Sequence, residues 1–225
     1  MAMPEKPQIY YSKIRRDIEE LLPSHVSRSL ELGCGTGSTS AWIKQKYGAY
    51  VAGVELCEDI AHEAEKSMDK VLIGDVERMQ LPFSPGSFDL ILCLDVLEHL
   101  ADPWRTVERL AGLMKPGASF IASLPNVQHY STFLNLLRGR WHYTTQGFMD
   151  KTHLRFFVRS TAITMFEDAG LKVKTVKDEM SRVKIVDRCT FGLFRDFCTG
   201  HYLIRSCLES PIGADVHERR LVGAK

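Results

Sequence analysis

A doubly wound α/β fold, with a mostly parallel seven-stranded sheet and helices on both faces, is what this sequence predicts. Three observations carry the expectation. Short apolar runs alternate with helix-like segments from Val26 to Leu124. Phe88 to Asp95 is almost uninterruptedly apolar, as a parallel strand covered on both faces must be. Gly33, Gly35 and Gly37 stand where the first strand runs into the helix that follows it.

The elements follow in order. Gln8 to Leu22 places Ile9, Tyr10, Ile14, Ile18, Leu21 and Leu22 at helical spacing, and Pro23 ends it. Val26 to Leu32 reads as a strand, and Ser38 to Tyr47 as a helix stopped by Gly48. Ala49 to Leu56 is a strand, Glu58 to Met68 a helix, Val71 to Asp75 a strand and Phe88 to Asp95 the buried central strand. Asp102-Pro103 looks like a cap followed by proline at the first helical position, and that helix should end before Pro116-Gly117. Ala118 to Leu124 is the fifth strand. An aromatic-rich and arginine-rich insertion, Asn126 to Phe157, then breaks the rhythm. Ser160 to Ala169 predicts a helix closed by Gly170, and Leu171 to Met180 a sixth strand. Arg188 to Glu209 reads as helical, and a last strand is expected around Arg219 to Ala224.

One domain over residues 1–225 is expected. Its parts are an N-terminal helix (8–24), a cofactor-binding half (25–124), an acceptor-side insertion (125–159) and a C-terminal part (160–225). Hydrophobic residues make up 44% and charged residues 25%, the balance of a globular protein. A net charge of +1 gives no electrostatic case for nucleic acid or anionic membrane. No apolar stretch approaches the roughly 18 residues of a membrane span. The six cysteines are scattered with no Cys-x-x-Cys pair, so reduced thiols, a cytoplasmic location and no metal site are expected.

The chemistry gathers at strand ends. A glycine-rich turn lets a ligand approach the main chain, but dinucleotide-binding proteins use one too. Two details separate the readings. Ser38 stands where the dinucleotide pattern wants its last glycine, and Glu31 precedes the turn. A carboxylate repels a pyrophosphate and attracts a cation. Glu55, Asp75 and Asp95 end the next three strands, at the edge where open α/β sheets bind ligands.

In these residues, and in Leu81-Pro82-Phe83, Phe88-Asp89-Leu90, Glu98-His99 and Leu113 to Gly117, the sequence resembles the class I, seven-stranded, Rossmann-like methyltransferases. The likeness is to their small-molecule branch, and Leu124 to Tyr130, Leu137 to Tyr143 and Asp150 to Phe157 resemble a bacterial subgroup of it associated with polysaccharide pathways. The resemblance implies S-adenosyl-L-methionine as cofactor. It assigns the methionine portion to Glu31, Gly33, Cys34, Gly35 and Gly37, the ribose to Glu55 with Leu56, and the adenine to Asp75 and Val76. It sets the backbone around Leu94, with Asp95, beside the sulfur and Tyr10 or Tyr11 over the cofactor. The motifs of base-amine and pyrimidine-carbon methylation are missing.

The acceptor is therefore expected to be a small molecule, first a sugar, free or nucleotide-linked. Another small hydroxyl, amine or carbon acid is the alternative, and a catalytically silent cofactor-binding partner protein is a further one. A hydroxyl acceptor gains from a base. His129 and His153 are the candidates, whereas His99 reads as structural. Asn126, Tyr130, Arg138, Trp141 and Arg155 are the candidate acceptor residues: arginine for phosphate or carboxylate, aromatic rings for a sugar face. The same residues could equally pack or anchor the insertion.

Overall fold

A computed structural model describes residues 8–180 and 192–209. Seven strands form one sheet: β1 (Arg28–Leu32), β2 (Tyr50–Glu55), β3 (Lys70–Ile73), β4 (Phe88–Leu94), β5 (Met114–Pro125), β6 (Leu171–Met180) and β7 (Thr199–Leu208). Their order is β3-β2-β1-β4-β5-β7-β6, so the strand order reverses between β1 and β4. Pairing is parallel from β3 to β5, and β7 runs antiparallel to both β5 and β6. All five parallel strands thus end on one edge, with the crevice of a doubly wound sheet at the reversal.

The helices are α1 (Gln8–Tyr11), α2 (Ser38–Tyr47), α3 (Glu58–Ala64), α4 (Pro103–Ala111), α5 (Tyr130–Leu137), α6 (Arg159–Asp168) and α7 (Arg195–Cys198). Local signals set their ends. Gly48 closes α2 in the left-handed region at φ 65°, and its N–H donates to the Lys44 carbonyl. Asp102 caps α4 by accepting from the Arg105 N–H, with Pro103 in the first turn.

Strand alternation builds a core on each face. Leu90, Leu92 and Leu94 of β4 pack with Trp42 and Ile43 of α2 and with Ile18 and Leu21. Ile91 and Cys93 pack on the other face with Val107 and Leu110 of α4 and Met165 and Phe166 of α6.

The structure departs from the expected elements at four places. The N-terminal helix is broken into α1 and a 3-10 turn at Arg16–Leu21, because the Tyr11 carbonyl between them accepts from the Thr36 backbone N–H and hydroxyl. Helix α3 ends at Ala64, four residues short of Met68. Strand β5 starts at Met114 and runs through Pro116-Gly117, which occupy a register shift between Phe88 and Leu90, where a bulge tolerates proline. Residues 199–208, expected to be helical, are strand β7; only Arg195–Cys198 is helix. Because β7 lies between β5 and β6, Tyr202, Leu203 and Ile204 are buried on both sheet faces and show no period of two. The strand expected at 219–224 lies outside the described residues. Among the described residues, no helix is long and apolar enough to cross a membrane.

Candidate active site

A cleft of about 1350 Å³ opens over the carboxyl ends of β1, β2, β3 and β4. Its floor is the turn from β1 into α2, where Gly33, Gly35 and Gly37 all have positive φ (61°, 54° and 77°). The missing side chain matters most at Gly35. A Cβ there would sit 2.4 Å from the Tyr11 carbonyl oxygen, so glycine is what allows the N-terminal segment to lie on the turn.

Carboxylates surround this turn, each fixed differently. Glu55 accepts from three backbone N–H groups: Gly35 at 2.9 Å, Leu56 at 2.9 Å and Cys57 at 3.0 Å. It therefore ties the glycine turn to the end of β2. Glu31 is buried beneath the turn and accepts from the Ser40 hydroxyl at 2.6 Å. Burial pushes its carboxyl up to about 7, with the Ser40 bond pulling the other way. A cation in the cleft would hold it ionised. Asp75 accepts from the Glu77 N–H at 2.9 Å. Asp95 sits at φ 58°, a strained value for a residue with a side chain, and accepts from the Ser123 hydroxyl at 2.5 Å.

Arg15, which sequence reading missed, is the buried cation of this network. Its guanidinium donates to Asp95 at 2.5 Å and to Asp17 at 2.7–3.1 Å. Burial opposes its charge, but Asp17 and Asp95 more than compensate and raise its pKa. With its donors turned to these acids, Arg15 offers no pyrophosphate clamp. Among the described residues, Lys13 is the other cation lining the cleft, against Glu31, Glu55, Asp59, Glu63, Asp75, Glu77 and Asp95. The lining suits a phosphate-free, positively charged ligand.

Of the residues named from sequence for the cofactor, Tyr11, Glu31, Gly33, Cys34, Gly35, Glu55, Leu56, Asp75, Val76, Leu94 and Asp95 line the cleft. Gly37 does not; it is the left-handed cap of α2, packed on Met68 and Ser67. His99, read from sequence as structural, lines the cleft too.

The acceptor candidates divide. His153 packs edge-on against His99, with ring centroids 4.8 Å apart. His129 is buried, with Nδ1 2.8 Å from the Ser131 hydroxyl, and burial, then His201, lowers its pKa. Its ring lies 4.6 Å from Phe148 and 4.4 Å from Tyr130, and Phe148 is in turn 5.6 Å from His201. The other candidates stand elsewhere. Asn126 is fully buried, its amide donating to the Asp196 and Thr199 carbonyls and accepting from the Gln128 N–H, which fastens β7. Arg155 donates to the Ala101 carbonyl and lies over Trp104. Arg138 donates to the Leu134 carbonyl of its own helix. Trp141 leans on Phe156 beside a crevice of about 20 Å³, room for little more than one water.

Comparison with known proteins agrees with this geometry. A family model described as a methyltransferase domain matches residues 8–176. A protein of Coxiella burnetii named ubiquinone biosynthesis O-methyltransferase is 28% identical over 158 residues. The match covers 68% of this chain and 66% of the relative, just under two thirds of its length. Among solved structures, an S-adenosylmethionine-dependent methyltransferase of Archaeoglobus fulgidus superposes with a TM-score of 0.63 at 18% identity, covering 89% of this chain and 93% of that one. One from Mesorhizobium loti gives 0.62 at 19% identity, covering 85% and 95%. The carboxylate-ringed cleft on a seven-stranded doubly wound sheet and the family match over most of the chain lead to one assignment: the chain belongs to the methyltransferase-domain family, on the fold shared by S-adenosylmethionine-dependent methyltransferases.

Proposed function

We propose that this enzyme methylates a hydroxyl oxygen of a small acceptor, in first place a sugar or glycan precursor, bound between the cleft mouth and residues 126–157. The observation that carries the reading is the gathering of His99, His129, His153 and His201 beside Phe148 and the end of β4. A hydroxyl must lose its proton to attack a methyl carbon, and histidine titrates nearest the working range. The name of the Coxiella relative supports oxygen as the methylated atom.

Bound in the cleft, S-adenosylmethionine supplies a methyl group on a cationic sulfur, which leaves as a neutral thioether. Glu55 would accept from the ribose hydroxyls, Asp75 from the adenine amino group, and Val76 would pack on the adenine ring. Glu31 and the backbone of the glycine turn would hold the ammonium and carboxylate of the methionine portion. The chain's remaining task is to set the acceptor oxygen in line, about 3 Å from the methyl carbon. Tyr130, Trp141 and Tyr143 are 36–59% exposed and offer rings to a sugar face.

A second reading is a bulkier, apolar hydroxyl acceptor. Helix α5 exposes Leu134, Leu136 and Leu137 beside Tyr130, which favours an acceptor carrying apolar bulk. The test is release of S-adenosylhomocysteine with nucleotide sugars, free sugars, phenols and amines as acceptors, followed by mapping of the methylated atom. Turnover with hydroxyl compounds is expected. Turnover confined to amines would overturn the reading.

A further inference from the structure

His99 and His153 are far apart in sequence, but the fold brings them together with Glu98. One possible ligand atom from each of the three lies within 4.8 Å of the others, and Glu98 is buried while the two histidines are half-buried. The backbone holds the group firmly. The Glu98 carbonyl accepts from the Leu154 and Arg155 N–H groups at 2.8 and 3.0 Å, and the Arg155 side chain clasps the Ala101 carbonyl. Leu97–His99 and 153–155 are therefore one stitched unit, which reaches the cleft through His99.

The orientation of the two imidazoles points to their use. His99 Nδ1 lies 3.1 Å from the Thr152 carbonyl oxygen, and His153 Nδ1 lies 3.2 Å from that of Phe148. A carbonyl only accepts, so in each ring Nδ1 carries the hydrogen, and in the neutral imidazole Nε2 is then the lone-pair atom. Metal-binding histidines are set in this way, with one nitrogen held by an outer acceptor and the other presented to the ion.

We propose that Glu98, His99 and His153 bind a divalent transition-metal cation at the acceptor end of the cleft, with open positions that take the acceptor's hydroxyl oxygen. Two imidazoles and a carboxylate suit Zn²⁺, Co²⁺, Fe²⁺ or Mn²⁺, whereas Mg²⁺ and Ca²⁺ favour all-oxygen sets. Three protein ligands leave room for a further one. What the cation does rests on the O-methylation reading; whether it binds does not. A hydroxyl on the cation would give up its proton to water more readily, and the oxygen would keep the electron pair that forms the new bond to carbon. The cation does not change oxidation state. His153 is then a ligand rather than the base. Sequence spacing alone shows none of this, because the third ligand arrives only when the insertion folds back onto Glu98.

The test uses the full chain, untagged and stripped with a chelator, titrated with Co²⁺ and with Zn²⁺. One equivalent should bind, and the Co²⁺ form should show the d–d absorption of a nitrogen and oxygen site. Glu98→Gln and His153→Ala should each weaken binding on the order of 100-fold, while His62→Ala, at an exposed histidine of α3, changes nothing. If circular dichroism shows that His153→Ala does not fold, His153→Gln takes its place, and the wild-type spectrum decides by itself. No stoichiometric binding, or binding that persists in both ligand variants, overturns the site. Metal binding without any O-methylation would leave the site standing and remove the acceptor reading. O-methylation undiminished by chelator, with no Co²⁺ spectrum, would do the reverse.

Discussion

Replacing Glu55 by alanine is expected to weaken binding of S-adenosylhomocysteine on the order of 100-fold, about 2.7 kcal/mol. The side chain serves two ends. One oxygen accepts from Gly35 N–H on the glycine turn, and the other accepts from Leu56 and Cys57 at the start of the next loop. Hydrogen bonds to a charged partner contribute roughly 1.5–3 kcal/mol each. Their loss frees the turn whose backbone lines the cleft and removes the carboxylate assigned to the ribose. Glu55→Gln keeps the shape but turns one acceptor into a donor facing an N–H, so an intermediate loss of roughly tenfold is expected. Calorimetric titration of both variants checks the order. An affinity within about threefold of wild type for the alanine variant would show that Glu55 does not organise the cleft.

Arg15→Met is expected to cost roughly 3 kcal/mol of folding stability. The Arg15 side chain is 10% exposed and balances Asp17 and Asp95 together. Without it, two carboxylates close to one another lose their counter-charge, and Asp95 loses the anchor that holds its strained backbone. Because Asp95 opens partly onto the cleft, water relieves some of the cost, which sets the expectation at the low end for a broken buried pair. Arg15→Lys restores the charge but not the fork that spans two acids, and should recover only part of the loss. Denaturant unfolding measures both. A change below about 1 kcal/mol for the methionine variant would place Arg15 among ordinary surface pairs.

The legible and illegible parts of this fold differ in the range of the interactions that fix them. Helix α2 with its Gly48 stop, the Asp102-Pro103 start of α4 and strand β6 are set by residues within a few positions, and sequence reading finds them with little error. Glu31, Glu55, Asp75 and Asp95 are legible for the same reason: each lies at or just beyond the end of a short strand followed by a local turn signal. Strand β7 is not legible, because a strand buried on both faces carries no alternation that distinguishes it from a buried helix. Arg15 is missed because its partner Asp95 lies 80 residues away.

The acceptor side shows the same limit. Asn126 and Arg155 are polar residues beside a predicted pocket, which reads as ligand binding. Their actual partners are backbone carbonyls of distant segments, at Thr199 and Ala101. His99 reads as structural until the fold sets it on the cleft wall against His153.

Acids around the cleft should select a cationic sulfur donor over phosphate-bearing nucleotides, and calorimetry on the wild-type chain reads that selection. S-adenosylmethionine and S-adenosylhomocysteine should bind at least about 100-fold more tightly than NAD or ATP, a gap of about 2.7 kcal/mol. Tight binding of NAD or ATP, with no heat from either adenosyl-sulfur compound, would contradict it.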